Sequence, residues 1–388
     1  MIIGFDVSKI GSKNRTGVEG YSENILHWFK KLDHAEYSDG GKYHNGYILY
    51  TPRAQGIELL DLPKNFLLKT IPLAQLWNQI RLPFEIKKDK PDLFFIPSNA
   101  MPFMDSNVKT VVTIHDVAFK YFPDRYSIFE KNLLEFTTQF TTKKADGIIV
   151  PSKTVKDDLI KFYGAEEEKI KVIHPGFDSP KKDAIHMADA KWEKMKDKFG
   201  IIRKYILYVG NIETRKNLTT LIKAFYEVLG SGQELQLVLA GVKGAGYEKV
   251  IAMIEKYNLK DRVVLTGYVN EEEKNYFLRN AELFVFLSHY EGFGIPILEA
   301  MYYELPVIAS KIPIFEELYK EAVIFVDPYD QKDVAETIIN TIKNYRKRDS
   351  LAEKGKELLK KFSWERVAME TLEFLNTFEP DKKKIFNK

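Results

Sequence analysis

The sequence predicts an α/β protein of two domains, each a doubly wound parallel sheet of Rossmann type. Three observations carry this. Short apolar runs of strand length alternate with segments of helical spacing, the pattern of parallel strands joined by crossover helices. The alternation breaks at His174-Pro175-Gly176-Phe177-Asp178-Ser179-Pro180-Lys181-Lys182, where proline, glycine and charge cluster as at a linker, and then restarts. At 388 residues the chain also exceeds what one core usually organises.

In the first series, Ile2–Val7 is a short apolar run without a basic leader or cleavage site, so it reads as a strand and not a signal peptide. Arg15-Thr16-Gly17-Val18-Glu19-Gly20 follows as a loop. Tyr21–Phe29 then has helical spacing, with Ile25, Leu26, Trp28 and Phe29 apolar. Strand, glycine loop, helix is a ligand-loop layout, although Gly17-x-x-Gly20 by itself equally describes a plain turn. Strands are expected at Tyr47–Thr51, Leu93–Ile96, Thr110–Ile114, Gly147–Val150 and Ile170–Ile173, with helices at Ile128–Lys144 and Val155–Phe162. The boundary falls between 178 and 202, and a polar, lysine-rich helix leads up to Lys204.

The second series opens with the buried strand Tyr205–Gly210 and the turn Asn211–Asn217. A helix then places Leu218, Leu221, Ile222, Phe225 and Val228 on one face. Strands recur at Leu235–Ala240, Val263–Leu265, Leu283–Leu287, Val307–Ala309 and Val323–Val326. A last helix, Trp364–Phe378, carries Trp364, Val367, Ala368, Leu372 and Leu375. The expected division is therefore 1–180, 200–363, and a terminal piece 364–388 whose helix packs back toward the first domain and ends in a basic tail.

Composition narrows the function. A net charge of +3 is too small for a nucleic-acid binder, which would show a strongly basic face. The chain has no cysteine, so disulfides and thiolate metal sites are excluded, in keeping with a cytoplasmic setting. No apolar run approaches the roughly 18 residues that span a bilayer. The segment Leu62–Lys90 stands apart: Lys64, Lys69, Arg81, Lys87, Lys88 and Lys90 face only Glu85 and Asp89, with Phe66, Leu76, Trp77, Ile80 and Phe84 among them. Such a segment suits the surface of an anionic membrane, or else a core helix with a solvated outer face.

The most informative stretch is His289-Tyr290-Glu291-Gly292-Phe293-Gly294-Ile295-Pro296-Ile297-Leu298-Glu299-Ala300. It joins a strand to a short helix that Pro296 opens, at the carboxyl end of a strand, where ligands bind in open α/β sheets. Gly292 and Gly294 let backbone N–H groups approach a ligand. Glu291 and Glu299 can accept hydrogen bonds from sugar or ribose hydroxyls. Arg215 and Lys216 sit at an equivalent turn, and two adjacent cations can offset a diphosphate without a metal. His115-Asp116 ends a strand of the first series, where a histidine can bond a substrate hydroxyl or serve the structure alone. The seven histidines show no zinc spacing, and no P-loop, Gly-x-Ser-x-Gly elbow or Gly-x-Gly-x-x-Gly fingerprint is present.

Taken together, these motifs make the chain resemble the retaining glycosyltransferases of family 4, from about residue 2 to 375. The carriers are Glu291-Gly292-Phe293-Gly294 with Glu299, an acidic pair spaced eight apart, and Gly210-Asn211 with Arg215-Lys216-Asn217. His115-Asp116, Val150-Pro151-Ser152 and the Gly17/Gly20 loop fill their usual places. One departure is Pro175-Gly176-Phe177-Asp178, where relatives often have Asn-Gly-Val-Asp. The resemblance implies the GT-B fold, with two domains facing across a cleft. It implies that Arg215 and Lys216 hold a donor diphosphate, and that Glu291 with the N–H groups of Phe293 and Gly294 binds the donor sugar. Glu299 would take the ribose, Tyr268 or Val269 would lie near the base, Gly17 would leave room near the phosphates, and His115 would contact the transferred sugar. The implied reaction moves a hexose, mannose or glucose, from a GDP- or UDP-linked donor to a glycan or lipid-linked acceptor, with no metal. A nucleotide-sugar epimerase, a transferase with a soluble acceptor and a non-catalytic binding subunit remain alternatives on the same architecture.

Overall fold

The computed structural model describes residues 1–11, 17–33, 45–53, 61–72, 77–104, 107–179 and 189–380. Arg15 and Thr16 of the first glycine loop, Leu76, Pro180–Lys182 and the basic tail from Asp381 lie outside these. The chain forms two compact units: Met1–Gly176 with Ser363–Lys388, and Phe177–Phe362.

The first unit runs β1 (Ile2–Asp6), α1 (Gly17–Leu32), β2 (Gly46–Thr51), β3 (Phe66–Thr70), α2 (Arg81–Asp89), β4 (Leu93–Ile96), β5 (Lys109–Thr113), α3 (Ala118–Tyr121), α4 (Ile128–Lys144), β6 (Gly147–Val150), α5 (Lys153–Tyr163) and β7 (Ile170–Val172). The second runs α6 (Asp189–Phe199), β8 (Lys204–Val209), α7 (Leu218–Gly230), β9 (Leu235–Ala240), α8 (Tyr247–Lys256), β10 (Val263–Gly267), α9 (Glu271–Asn280) and β11 (Leu283–Phe286), then α10 (Ile295–Tyr302), β12 (Val307–Ser310), α11 (Pro313–Tyr319), β13 (Ile324–Val326), α12 (Gln331–Lys343) and α13 (Tyr345–Leu359). α14 (Trp364–Asn376) returns to the first unit.

The described strands make two parallel sheets, ordered β3-β2-β1-β4-β5-β6-β7 and β10-β9-β8-β11-β12-β13. In both, the order reverses beside the first strand, between β1 and β4 and between β8 and β11. A loop leaving each strand of such a pair turns to opposite faces of the sheet, which opens a crevice at their carboxyl ends. Sheets covered on both faces need apolar residues in both directions, and β4, β6, β9, β11 and β12 are buried at every position. Gln236, buried within β9, is satisfied on both sides of its amide. Its Oε1 accepts from the N–H of Ile202 and Arg203, and its Nε2 donates to the Gly200 carbonyl.

Two readings of the sequence are corrected. The Gly17–Gly20 segment is the first turn of α1 and not a loop before it, with Glu19 complementing the helix dipole. The basic segment 62–90 is not one element: Phe66–Thr70 is an edge strand and α2 begins only at Arg81. Lys69 crosses between them to Glu85 at 2.8 Å and Asp89 at 2.7 Å, so part of the segment's charge is neutralised internally.

α14 buries Val367, Ala368, Leu372 and Leu375 completely in the first unit's core. Its start crosses the segment leaving β7: a Cβ on Gly176 would lie 2.5 Å from the Trp364 backbone nitrogen, so only glycine fits there.

Candidate active site

The second unit gathers most of the predicted residues at its strand-order reversal. β8 ends in Val209, and Tyr208 shapes the turn beyond it by donating its hydroxyl to the Asn211 carbonyl at 2.8 Å. Gly210 donates its N–H to the Ala240 carbonyl at 2.9 Å, and Asn211 is exposed. Thr214–Lys216 then forms a single 3₁₀ turn that presents Arg215 and Lys216. The neighbouring strand β11 leads through Ser288 to the acidic loop, and the two loops are tied by the His289 N–H donating to the Arg215 carbonyl at 2.9 Å.

Their side chains meet on Glu291. Arg215 Nη1 donates to Glu291 Oε2 and to the Tyr290 carbonyl, both at 2.7 Å, while Nη2 reaches Glu213 Oε1 at 3.1 Å. Lys216 Nζ donates to the other oxygen, Glu291 Oε1, and lies 5.0 Å from the centre of the Phe286 ring. Glu213, Lys216 and Glu291 are buried and Arg215 nearly so. Burial raises the Glu291 carboxyl, but Lys216 and Arg215 outweigh it and hold the group well below the usual carboxylate range. Burial lowers the Lys216 ammonium, with Glu291 opposing. Two cations and two carboxylates balance, which lets the cluster stay buried without other counter-charge.

Beyond Glu291 the loop turns into α10. Gly294 has φ of 93°, and a Cβ there would lie 2.8 Å from the Phe315 ring, so the position excludes other residues on two counts. Tyr319 braces the loop by donating its hydroxyl to the Phe293 carbonyl at 2.8 Å. Phe293 is buried against Phe362, and Gly292 is half-buried. Among the described residues no acceptor takes the N–H groups of Gly292, Phe293 or Gly294. They lead into a helix N-terminus, a combination suited to an anionic or hydroxyl oxygen.

Glu299, one turn into α10, does not join the Arg215 cluster. Its Oε1 accepts from Lys274 of α9 at 2.7 Å, and Lys274 also pairs with Glu271 at 2.9 Å. Burial works against the Lys274 charge, yet Glu299 and Glu271 raise its ammonium above the ordinary value. Tyr268 and Val269 follow β10. The tyrosine is 70% exposed and the valine packs on the core.

His115 and Gly17 belong to the first unit. His115 follows β5, and its N–H donates to Asn99 at 2.7 Å. Its Nε2 lies 2.8 Å from the Pro97 carbonyl, which can only accept, so Nε2 carries the proton and Nδ1 is left as an acceptor. Burial lowers its pKa, which keeps the ring neutral near pH 7. A Cβ on Gly17 would meet nothing within 4 Å, so the fold itself does not demand glycine there.

Sequence reading missed Glu213 and Lys274. Glu213 lies two residues before Arg215 in the same turn and was open to the same argument. Lys274 is 25 residues from Glu299, and no local pattern links them. Among the described residues, no three His, Asp or Glu side chains gather as metal ligands.

Comparison with known proteins places this geometry. The family described as "Glycosyl transferases group 1" matches residues 192–358, and "Glycosyltransferase Family 4" matches 47–180. O-antigen chain mannosyltransferase RfbU of Salmonella typhimurium is 27% identical over 86% of this chain and 89% of its own length. O-antigen chain mannosyltransferase B of Escherichia coli is 28% identical over 68% of this chain and 69% of its own. The solved structure of Alr3699/HepE from Anabaena, in complex with UDP and glucose, aligns over 97% of this chain and 100% of that one, at a TM-score of 0.71 and 18% identity. WaaG, a glycosyltransferase involved in lipopolysaccharide biosynthesis, aligns over 96% and 99% with a TM-score of 0.67 and 18% identity, and both likenesses carry the fold. The two family matches span well over half of the sequence, and the chain is a GT-B glycosyltransferase of family 4.

Proposed function

We propose that this glycosyltransferase moves a hexose, mannose or glucose, from a GDP- or UDP-linked donor to a hydroxyl of a glycan or lipid-linked glycan, with retention, in the synthesis of a cell-surface polysaccharide. The observation that carries the reading is the convergence of Arg215 and Lys216 on Glu291 at the strand-order reversal. Mannose and O-antigen synthesis are suggested by the printed names of the two mannosyltransferase relatives.

In this reading the donor diphosphate lies against Arg215 and Lys216. Glu291 and the N–H groups of Phe293 and Gly294 take the sugar's hydroxyls, and Glu299, held by Lys274, takes the ribose. Tyr268 or Val269 lies beside the base. His115 offers Nδ1 to a hydroxyl of the transferred sugar, and Gly17 leaves room for phosphate. As the bond from the sugar's anomeric carbon to phosphate oxygen breaks, negative charge grows on the leaving diphosphate, where the two cations stabilise it. The acceptor oxygen bonds to the same face of the carbon, and its proton passes to the leaving phosphate oxygen. No metal is needed for this charge balance.

The test is turnover by pure protein carrying Arg215→Ala and Lys216→Ala, with nucleotide sugar and acceptor. A loss of about 10²–10³-fold is expected by analogy with removing a charge-stabilising donor. Retention of most turnover would overturn the assignment. Product analysis with donor alone separates transfer from epimerisation, since an epimerase needs no acceptor. The workplace we propose is the inner face of the cell membrane, reached as a peripheral protein through the basic and apolar side chains of 62–90.

A further inference from the structure

α4 is built inside out. Its buried positions are Thr137, Thr138, Thr141 and Thr142, and several of these hydroxyls are satisfied locally. Thr137 donates to the Leu133 carbonyl at 2.8 Å and Thr142 to the Thr138 carbonyl at 3.0 Å, while Thr141 accepts from the Met101 N–H at 3.2 Å. The large apolar side chains point outward instead. Ile128 is 82% exposed and Phe129 76%, and Leu133 and Phe136 are exposed as well. Phe129, Leu133, Phe136 and Phe140 recur at helical spacing on one stripe, which ends in Lys143 and Lys144.

α2 repeats the plan. Ile80 and Phe84, 57% and 60% exposed, form a stripe that ends in Lys87 and Lys88. The loop after β4 joins the two. Phe103 donates its N–H to Gln79 Oε1 at 2.9 Å, and its ring packs 5.4 Å from Phe136 and 4.8 Å from Phe140. Scattered apolar side chains on a surface are ordinary, but an α4 stripe extended by Phe103, whose loop is tied to the residue before Ile80, is not.

Charge decides what covers this face. The nearby acids are engaged: Glu85 and Asp89 by Lys69, Glu135 by Lys120, and Glu130 in the capping box of α4. Among the described residues, Lys87, Lys131, Lys143 and Lys144 form no ion pair. A two-fold dimer through this face would bury the same basic patch twice, and the acids beside it, Glu130 and Glu135, are already engaged. An anionic bilayer answers both halves of the surface. Phenylalanines enter the boundary between headgroups and acyl chains, and lysines meet lipid phosphates. We infer that the first unit docks on anionic membrane through the joint face of α4, the Phe103 loop and α2. The membrane contact proposed above for 62–90 is then one half of a surface whose larger half is α4.

Sedimentation with vesicles tests this, using phosphatidylcholine alone or mixed with phosphatidylglycerol. Wild type is expected to sediment with the anionic vesicles and to stay in solution with the neutral ones. Lys143→Glu with Lys144→Glu should lower the partition by at least about thirtyfold, since each lysine near such a surface contributes about fivefold and each glutamate adds repulsion. Ile128→Ser with Phe129→Ser should abolish sedimentation without lowering the melting temperature, because both side chains are largely exposed. The triple change of Lys87, Lys88 and Lys90 to Glu tests the α2 half. Equal partition of wild type and both double variants overturns the inference. So does a wild type that ignores anionic vesicles, or that forms a dimer lost in the serine variant. Nucleotide binding by the same variants, expected to be unchanged, keeps this outcome separate from the fate of the catalytic reading.

Discussion

At the scale of single residues, each cation is defined by the carboxylate it holds. Glu291 has its pKa lowered to about 2, because Lys216 and Arg215 outweigh the opposing effect of burial. A carboxylate whose folded-state pKa lies below its unfolded value adds stability that is complete above the unfolded pKa. That stability is lost as the pH falls from about 4.5 toward about 2. Urea midpoints measured from about pH 5 down to about pH 3 should therefore fall more steeply for wild type than for Glu291→Gln, and parallel curves would contradict the bridge. Lys274 gives a second prediction. It holds one oxygen of Glu299, and in the proposed reading, where Glu299 takes the ribose, it is a positioning residue. Lys274→Met should raise KM for the nucleotide sugar about tenfold with kcat little changed, and Lys274→Arg should restore most of the loss. A Lys274→Met enzyme whose kcat alone falls would place Lys274 elsewhere in the mechanism.

Elements explain what could be read in the sequence and what could not. The central strands were legible because burial on both faces forces continuous apolar runs, as in Leu235–Ala240 and Leu283–Phe286. α7 was legible because its buried face is six apolar residues at helical spacing. β3 was not, because an edge strand has one neighbour and mixes buried Phe66 with exposed Leu67 and with Lys69. Glu291 was legible from the glycines beside it, since its loop needs a turn that few residues can make. Gly294 tests this directly. Gly294→Ala puts a Cβ 2.8 Å from the Phe315 ring at φ of 93° and should cost about 1–3 kcal/mol in urea unfolding. Gly17→Ala, with nothing within 4 Å of its Cβ, should leave the unfolding midpoint unchanged while lowering turnover. Equal stability of the two variants would mean that the Glu291 loop is more pliable than its contacts indicate.

At the scale of the molecule, one architecture is used twice. Both sheets reverse order beside their first strand, and in the second unit the loops from the two central strands, β8 and β11, carry opposite charges that meet. Periodicity could announce two sheets, but not that Lys274 would reach Glu299 or that α4 would turn its phenylalanines outward, because both depend on packing between distant segments. The central claim is that Arg215 and Lys216 bind the diphosphate of a nucleotide sugar. Calorimetric titration with UDP and GDP, and with uridine and guanosine as controls, tests it most directly. Replacing both cations by alanine should weaken diphosphate binding at least tenfold, about 1.4 kcal/mol, and leave nucleoside binding as it was. A double variant that binds the diphosphate as tightly as wild type would contradict the account.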